Sequence, residues 1–219
     1  MDYIGENLLP GQLGHFFIVL SLVASLIATF SYFKSTQSKI EEEKGYWKKL
    51  ARISFIIESI SVFAIFAILF YIIYNHLFEY KYAWQHSSRS LEFKYLLACF
   101  WEGQEGSFLL WSFCHALLGL ILIKTGKKWE APVMTVISLA QFALATMVAG
   151  IYIFGWKMGS NPFVLLRDSG VLDNAPALHL NFDVNQALKP DYMLSIKDGN
   201  DLNPLLQNYW MVIHPPVLF

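Results

Sequence analysis

Six histidines, two cysteines and one acid inside an apolar run are the residues of this 219-residue chain whose types suit metal or redox chemistry. A neutral imidazole ligates metals readily, haem iron among them, so each histidine qualifies by type. Context separates them. His15 and His76 fall near the ends of apolar stretches, where interfacial residues are ordinary. His115 lies inside such a stretch beside Cys114, where a helix–helix hydrogen bond is the usual fate of an imidazole. His86 and His179 stand in polar segments that predict solvated rings. His214 sits in Trp210-Met211-Val212-Ile213-His214-Pro215-Pro216, at the edge of an apolar stretch. A proline pair suits a first helical turn, which predicts His214 just outside a helix start and within reach of a metal held above a membrane surface.

The thiols suggest less. Cys99 and Cys114 form no CxxC pair, no zinc spacing and no CxxCH. The chain therefore encodes neither thiol–disulfide exchange nor a covalent haem attachment site of its own. Glu58 is the acid, well inside a predicted span. A charge at that depth is costly unless it pairs or faces a cavity. The structural account of it is a side chain one turn from the cytoplasmic end that snorkels toward Arg52.

Composition sets the elements that position these groups. Hydrophobic residues make up 55% and charged residues 15%, against about a quarter charged in soluble domains. That deficit predicts an all-α polytopic transmembrane bundle, and a net charge of −1 gives no footprint for nucleic acid. A cleaved signal peptide is not expected, because residues 1–14 carry no positive region and the apolar run that follows is long. Four spans are predicted, over about 13–33, 53–74, 106–123 and 133–154, and a fifth begins near 209 and stops at Phe219. Lysine and arginine are dense after the first span (Lys34, Lys39, Lys44, Lys48, Lys49, Arg52) and after the third (Lys124, Lys127, Lys128). Those connections are expected in the cytoplasm, with the N-terminus and the loop over 156–208 on the periplasmic side of a bacterial inner membrane. Tyr80, Tyr82, Trp84, Trp101 and Trp111 read as an aromatic belt at that outer interface.

Three blocks then carry a family resemblance. Asp201-Leu202-Asn203-Pro204-Leu205-Leu206-Gln207 followed by His214-Pro215-Pro216 resembles the DLNPLLQ…HPP signature of the CcmF/NrfE-type cytochrome c haem lyases. Trp101-Glu102-Gly103-Gln104-Glu105-Gly106-Ser107 is similar to that family's W-G-x-x-E-G-S stretch, and Ser160-Asn161-Pro162-Phe163 to its S-N-P-F. The resemblance implies a membrane subunit of cytochrome c maturation that binds haem and positions it for thioether attachment to apocytochrome c. It also implies a b-type haem, delivery by the haem chaperone CcmE, and other maturation subunits as partners. His214 matches the first of two outer-side histidines that hold the haem iron in the family. No general base or other catalytic residue is assigned, and Asn203-Pro204 reads as a helix cap.

Two departures accompany the resemblance. Glu102 stands where the family usually has glycine, and the segment between Arg167 and Asp198 is longer than expected. The family's WWD region and second outer histidine have no counterpart here, so the chain is not expected to act as a lyase alone. Two other classes compete: a non-catalytic membrane subunit that docks a haem chaperone or apocytochrome, and a transporter. The latter predicts paired broken spans in two halves of the chain, which the sequence lacks.

Overall fold

A computed structural model describes residues 3–218. Seven α-helices dominate: α1 Leu9–Gln37, α2 Glu41–Tyr74, α3 Lys81–His86, α4 Phe93–Glu102, α5 Gln104–Thr125, α6 Glu130–Ala149 and α7 Tyr209–Leu218. Four stretches, Leu9–Gln37, Glu41–Tyr74, Gln104–Thr125 and Lys127–Ala149, are long and apolar enough to cross a membrane. The only paired strands among the described residues are β1 Ile151–Ile153 and β2 Trp156–Met158. The all-α polytopic membrane class read from composition is the class observed.

The chain divides into two compact units, one from Gly14–Ala67 and Gln104–Asn161, the other from the N-terminal residues to Leu13, Ile68–Gly103 and Pro162–Leu218. The first is a helical bundle whose polarity runs opposite to that of a water-soluble protein. On α1 the buried side chains include Ile18, Ser21, Ser25, Ala28, Tyr32 and Ser35, spaced three or four apart along one face that Ala24 and Ser31 widen. Phe16, Val19, Val23, Leu26, Phe30 and Phe33 are exposed. Ser54, Ser59, Ser61, Ser112 and Ser138 are likewise buried, while Ile53, Ile56, Ile60, Leu117, Ile121 and Val136 face outward. Small residues recur at the buried positions, beside Tyr32, Phe55 and Met134, and bulky apolar ones cover the outside, as is expected where lipid is the solvent and close backbone approach favours a neighbouring helix over an acyl chain. Gly119 shows how tight that approach is. A Cβ there would come within 2.2 Å of the Phe55 ring.

One charged cluster closes this bundle. The Glu130 carboxylate, 1% exposed, receives Arg52 Nε at 2.6 Å and Arg52 Nη2 at 2.7 Å, and Lys48 Nζ approaches at 2.7 Å. The fork of Arg52 is thus engaged twice by one carboxylate, the strong geometry for such a pair. This overturns the expectation that Glu58 snorkels toward Arg52. Glu58 is 1% exposed, and its Oε1 accepts from Gln141 Nε2 at 2.7 Å. Gln141 Nε2 also donates to the Ser112 carbonyl at 3.1 Å, so α2, α5 and α6 meet at one amide.

Several ends differ from the expected ones, for local reasons. The connection after α1 is only three residues long, and most of the basic residues expected in a loop sit on the helical extensions of α1 and α2. The fourth span ends at Ala149, short of 154, because Gly150 takes a left-handed conformation (φ 68°) and caps the helix. Ile151 to Met158 then form a two-residue hairpin with Phe154 and Gly155 at φ 50° and 83°, the positive pair that a type I′ turn requires.

Glu130→Ala leaves Arg52 without its buried partner. Arg52 is 43% exposed and can turn to water, so the expected loss is that of a charge-assisted hydrogen bond, about 1.5–3 kcal/mol, read as a lowered thermal midpoint in detergent. An unchanged midpoint would mean that the pair contributes nothing to holding α2 against α6.

Candidate functional site

The second unit carries the signature residues. Its core is small: Leu166, Leu172, Leu188 and Tyr192 are buried together, with Tyr3, Trp84 and Ile196 packed at the margin. The long segment after the hairpin is therefore ordered, as a series of short 3₁₀ turns around that core. Polar contacts fasten it to the start of the chain. Glu6 accepts from the Tyr192 hydroxyl at 2.7 Å and pairs with Arg167. The Arg167 guanidinium also lies 4.6 Å from the Tyr3 ring centroid. Burial, reinforced by the neighbouring Glu6 charge, pushes the Tyr192 phenol up.

Tyr80 is the second fastening. It is fully buried, donates to the Asn7 carbonyl at 2.7 Å and accepts from Gly11 N–H at 2.8 Å. Burial holds its pKa up at about 12. Beside it, Glu79 Oε1 accepts from the Asn7 N–H at 3.1 Å, and burial pushes that carboxyl above its ordinary value. Tyr82 is buried as well, donating to the Phe100 carbonyl at 2.7 Å and accepting from Gly103 N–H at 3.3 Å. The aromatic belt read from Tyr80 and Tyr82 is thus corrected. These two rings are core residues with bonded hydroxyls, and sequence spacing alone does not reveal that. Trp111 is 41% exposed and keeps an outward position.

The Asp201–Gln207 block is a self-bonded turn. Asp201 sits at φ 70°, and its Oδ1 accepts from Leu202 N–H at 2.8 Å and from Ser88 Oγ at 2.9 Å. Asn203 Oδ1 accepts from Leu205 N–H at 3.0 Å, capping the turn Pro204–Leu206, and Gln207 Nε2 closes onto the Leu202 carbonyl at 2.9 Å. Asn208 then caps α7, with its Oδ1 accepting from Met211 N–H at 3.1 Å. Upstream, Gly199 lies where a Cβ would meet the Ser87 carbonyl at 2.1 Å and that of Trp84 at 2.8 Å. Backbone atoms press the segment onto the end of α3, with the Asn200 N–H donating to the Trp84 carbonyl at 2.7 Å, and the Ser88–Asp201 side-chain bond adds to the contact.

His214 lies inside α7, not outside its start. The Asn208 cap begins the helix six residues earlier, and Pro215 and Pro216 are interior. The imidazole is exposed, and no described residue hydrogen-bonds to either ring nitrogen. Trp210, four residues earlier and so on the same face, is 71% exposed.

The other histidines disperse. His86 is not solvated: its Nδ1 lies 2.9 Å from Glu102 Oε2, and Glu102 Oε1 in turn receives the Asn203 N–H at 3.3 Å. The acid that departs from the family pattern therefore ties His86 to the signature block, a contact no single-sequence spacing discloses. His179 is 3% exposed and pairs with the Ala175 carbonyl at 3.0 Å. His15 Nδ1 pairs with Asn161 at 3.1 Å. His115 lacks the expected partner, its buried Nδ1 being unbonded, as is that of His76. Burial, aided by the Arg89 charge, holds the His76 pKa down. Cys99 and Cys114 are free thiols, and burial pushes Cys99 up. Among the described residues no three histidine, cysteine or carboxylate side chains gather to hold a metal ion.

Bundle and capped signature block together define a polytopic helical membrane protein with an ordered unit built from its connections. No family model matches the sequence. The cytochrome c-type biogenesis protein CycK of Rhizobium meliloti is 24% identical over 208 residues, 95% of this chain and 26% of its own length. CcmF of Haemophilus influenzae is 28% identical over 216 residues, 95% of this chain and 27% of its own. CcmF of Pseudomonas fluorescens is 31% identical over 148 residues, 65% and 17% respectively. The solved structure of the cytochrome c haem lyase CcmF shares the fold, with a TM-score of 0.59 at 21% identity over 81% of this chain and 28% of that one. The chain is thus similar to CcmF/NrfE-type cytochrome c biogenesis proteins, and it spans about a quarter of the length of these curated relatives.

Two outcomes follow from this geometry. Because the folded state raises the Glu79 pKa, its ionisation opposes folding as pH rises from the unfolded value through the folded one. Glu79→Gln is therefore expected to raise the unfolding midpoint at pH 8 and to leave it nearly unchanged at pH 4; a gain of equal size at both would rule out titration as the cause. Gly199→Ala meets two carbonyls that cannot rotate away, so it is expected to lower the midpoint and speed proteolysis between 196 and 208. Wild-type proteolysis would show that the loop is not pinned there.

Proposed function

We propose that this chain serves cytochrome c biogenesis by presenting His214 as an axial ligand to haem iron on the periplasmic side of the bacterial membrane. The observation that carries the reading is His214 itself: an exposed imidazole with both nitrogens uncommitted, on a helix whose start is fixed by the capped Asp201–Asn208 block. One neutral imidazole is what a haem requires of a protein on one face. Trp210 on the same helical face offers an apolar surface for a flat macrocycle. The names of the relatives, and the family's outer-side histidine at the position of His214, support the same assignment.

Haem, when bound, supplies the vinyl groups that form thioethers with cysteine thiols of an apocytochrome c. The chain's part is positional. α7 sets the direction of the imidazole, the capped block keeps that helix start from fraying, and the ordered 3₁₀ segment gives a folded surface for the apocytochrome, the chaperone CcmE and other maturation subunits. Orientation of the alignment between iron and incoming thiols is worth more to such a reaction than any proton transfer this site offers. The density of lysine and arginine on the α1–α2 and α5–α6 connections supports a cytoplasmic position for them and a periplasmic one for the signature block.

An absorption spectrum of the protein purified in detergent, beside His214→Ala, tests the reading. Reduced-haem bands that fall in the variant by about ten-fold and return with added imidazole support it. Identical spectra with cytochrome c maturation intact would leave the docking role, in which the folded outer unit binds a partner and His214 is a helix residue only.

A further inference from the structure

α7 contains a defect that another helix repairs. The nitrogen of Pro215 faces the carbonyl of Met211, four residues back, and a proline nitrogen has no hydrogen to donate. That oxygen loses its helical partner one turn before His214. In α4, the indole Nε1 of Trp101 donates to this same Met211 oxygen at 2.9 Å. The indole nitrogen is a donor only, so the contact has one possible polarity. The next residue makes the second attachment: Glu102 accepts from the Asn203 N–H. At the other end of the turn, the Met211 N–H is held by the Asn208 side chain. The Met211 N–H is thus shared between the side chain and the backbone carbonyl of Asn208, while the Met211 carbonyl, facing Pro215, takes its donor from Trp101.

We propose that Trp101 is a positioning residue for His214: its indole N–H replaces the donor that Pro215 lacks, and so fixes the first turns of α7 and the direction in which the imidazole points. The last step rests on His214 being an iron ligand; the indole–carbonyl bond does not.

The test separates hydrogen bond from ring packing by restoring the missing donor. Trp101→Phe keeps an aromatic ring and removes the N–H. Pro215→Ala returns an N–H to face the Met211 carbonyl and makes the indole redundant. Amide hydrogen exchange over 209–214 is measured for wild type, each single variant and the double variant, in detergent, with the haem spectrum recorded on the same samples. Trp101→Phe is expected to speed exchange about five-fold, the size of one net hydrogen bond, and to lower the imidazole-rescuable haem signal in parallel. In the Pro215→Ala background the same substitution is expected to change exchange less than two-fold. Equal effects in both backgrounds would overturn the proposal, since only packing would then be lost; so would no effect in either. Exchange that responds while the haem signal does not would uphold the bond and sink the reading of His214 as ligand.

Discussion

A polar group removed from water must find its partner within the protein, and this requirement organises both units. In the helical bundle it draws Arg52 and Lys48 onto Glu130 and makes the Gln141 amide serve Glu58 and the Ser112 carbonyl at once. In the second unit Tyr80 is buried with its hydroxyl donating to the Asn7 carbonyl and accepting from the Gly11 N–H. Of the groups left over among the described residues, the Gln141 Oε1, the Ser138 hydroxyl and the His115 Nδ1 lie in the bundle, and the His76 Nδ1 lies in the second unit. Desolvation is thus the common term, and the two units meet it with different materials.

The bundle meets it through size. Serine, alanine and glycine let helices approach until backbone atoms touch, and a serine hydroxyl can return its hydrogen bond to its own helix, as Ser59 and Ser61 do to the carbonyls four residues back. Among its described residues the second unit has only short helices of its own, α3, α4 and α7, to absorb its backbone groups. It uses 3₁₀ turns, side-chain caps and tyrosine hydroxyls, which demand particular residues at particular places. The Asp201–Gln207 block and His214-Pro215-Pro216 lie in this second unit, while the bundle asks mainly for residue size and hydropathy.

The same division governs how much was legible beforehand. Hydropathy sufficed for the class of fold and for four apolar helices, because length and composition are properties of a single segment. The stop at Gly150 is hidden in the sequence because the residues after it are as apolar as those before, and only the backbone conformation of glycine marks the change. Asn203-Pro204 as a cap was readable, since a cap bonds to its neighbours. Glu58 was not, because its partner Gln141 lies 83 residues away. Tyr80 and Tyr82 were misread for a related reason: an amphipathic ring looks the same in sequence whether its hydroxyl meets headgroups or a buried carbonyl. His214 was placed outside its helix because a proline pair ordinarily opens one, whereas here an indole from α4 makes the interior position tolerable.

The attachment of Glu6 to Arg167 and Tyr192 also has a consequence in time. Its partners lie 161 and 186 residues further along the chain. At a synthesis rate of about 5–20 residues per second, Glu6 leaves the ribosome roughly 10 to 40 seconds before either partner exists. Throughout that interval the Glu6 carboxylate is without its native partners, while Asn7 and Gly11 can already meet Glu79 and Tyr80. The contacts at the start of the second unit therefore form in stages, and Glu6 must wait until Arg167 and Tyr192 have been made.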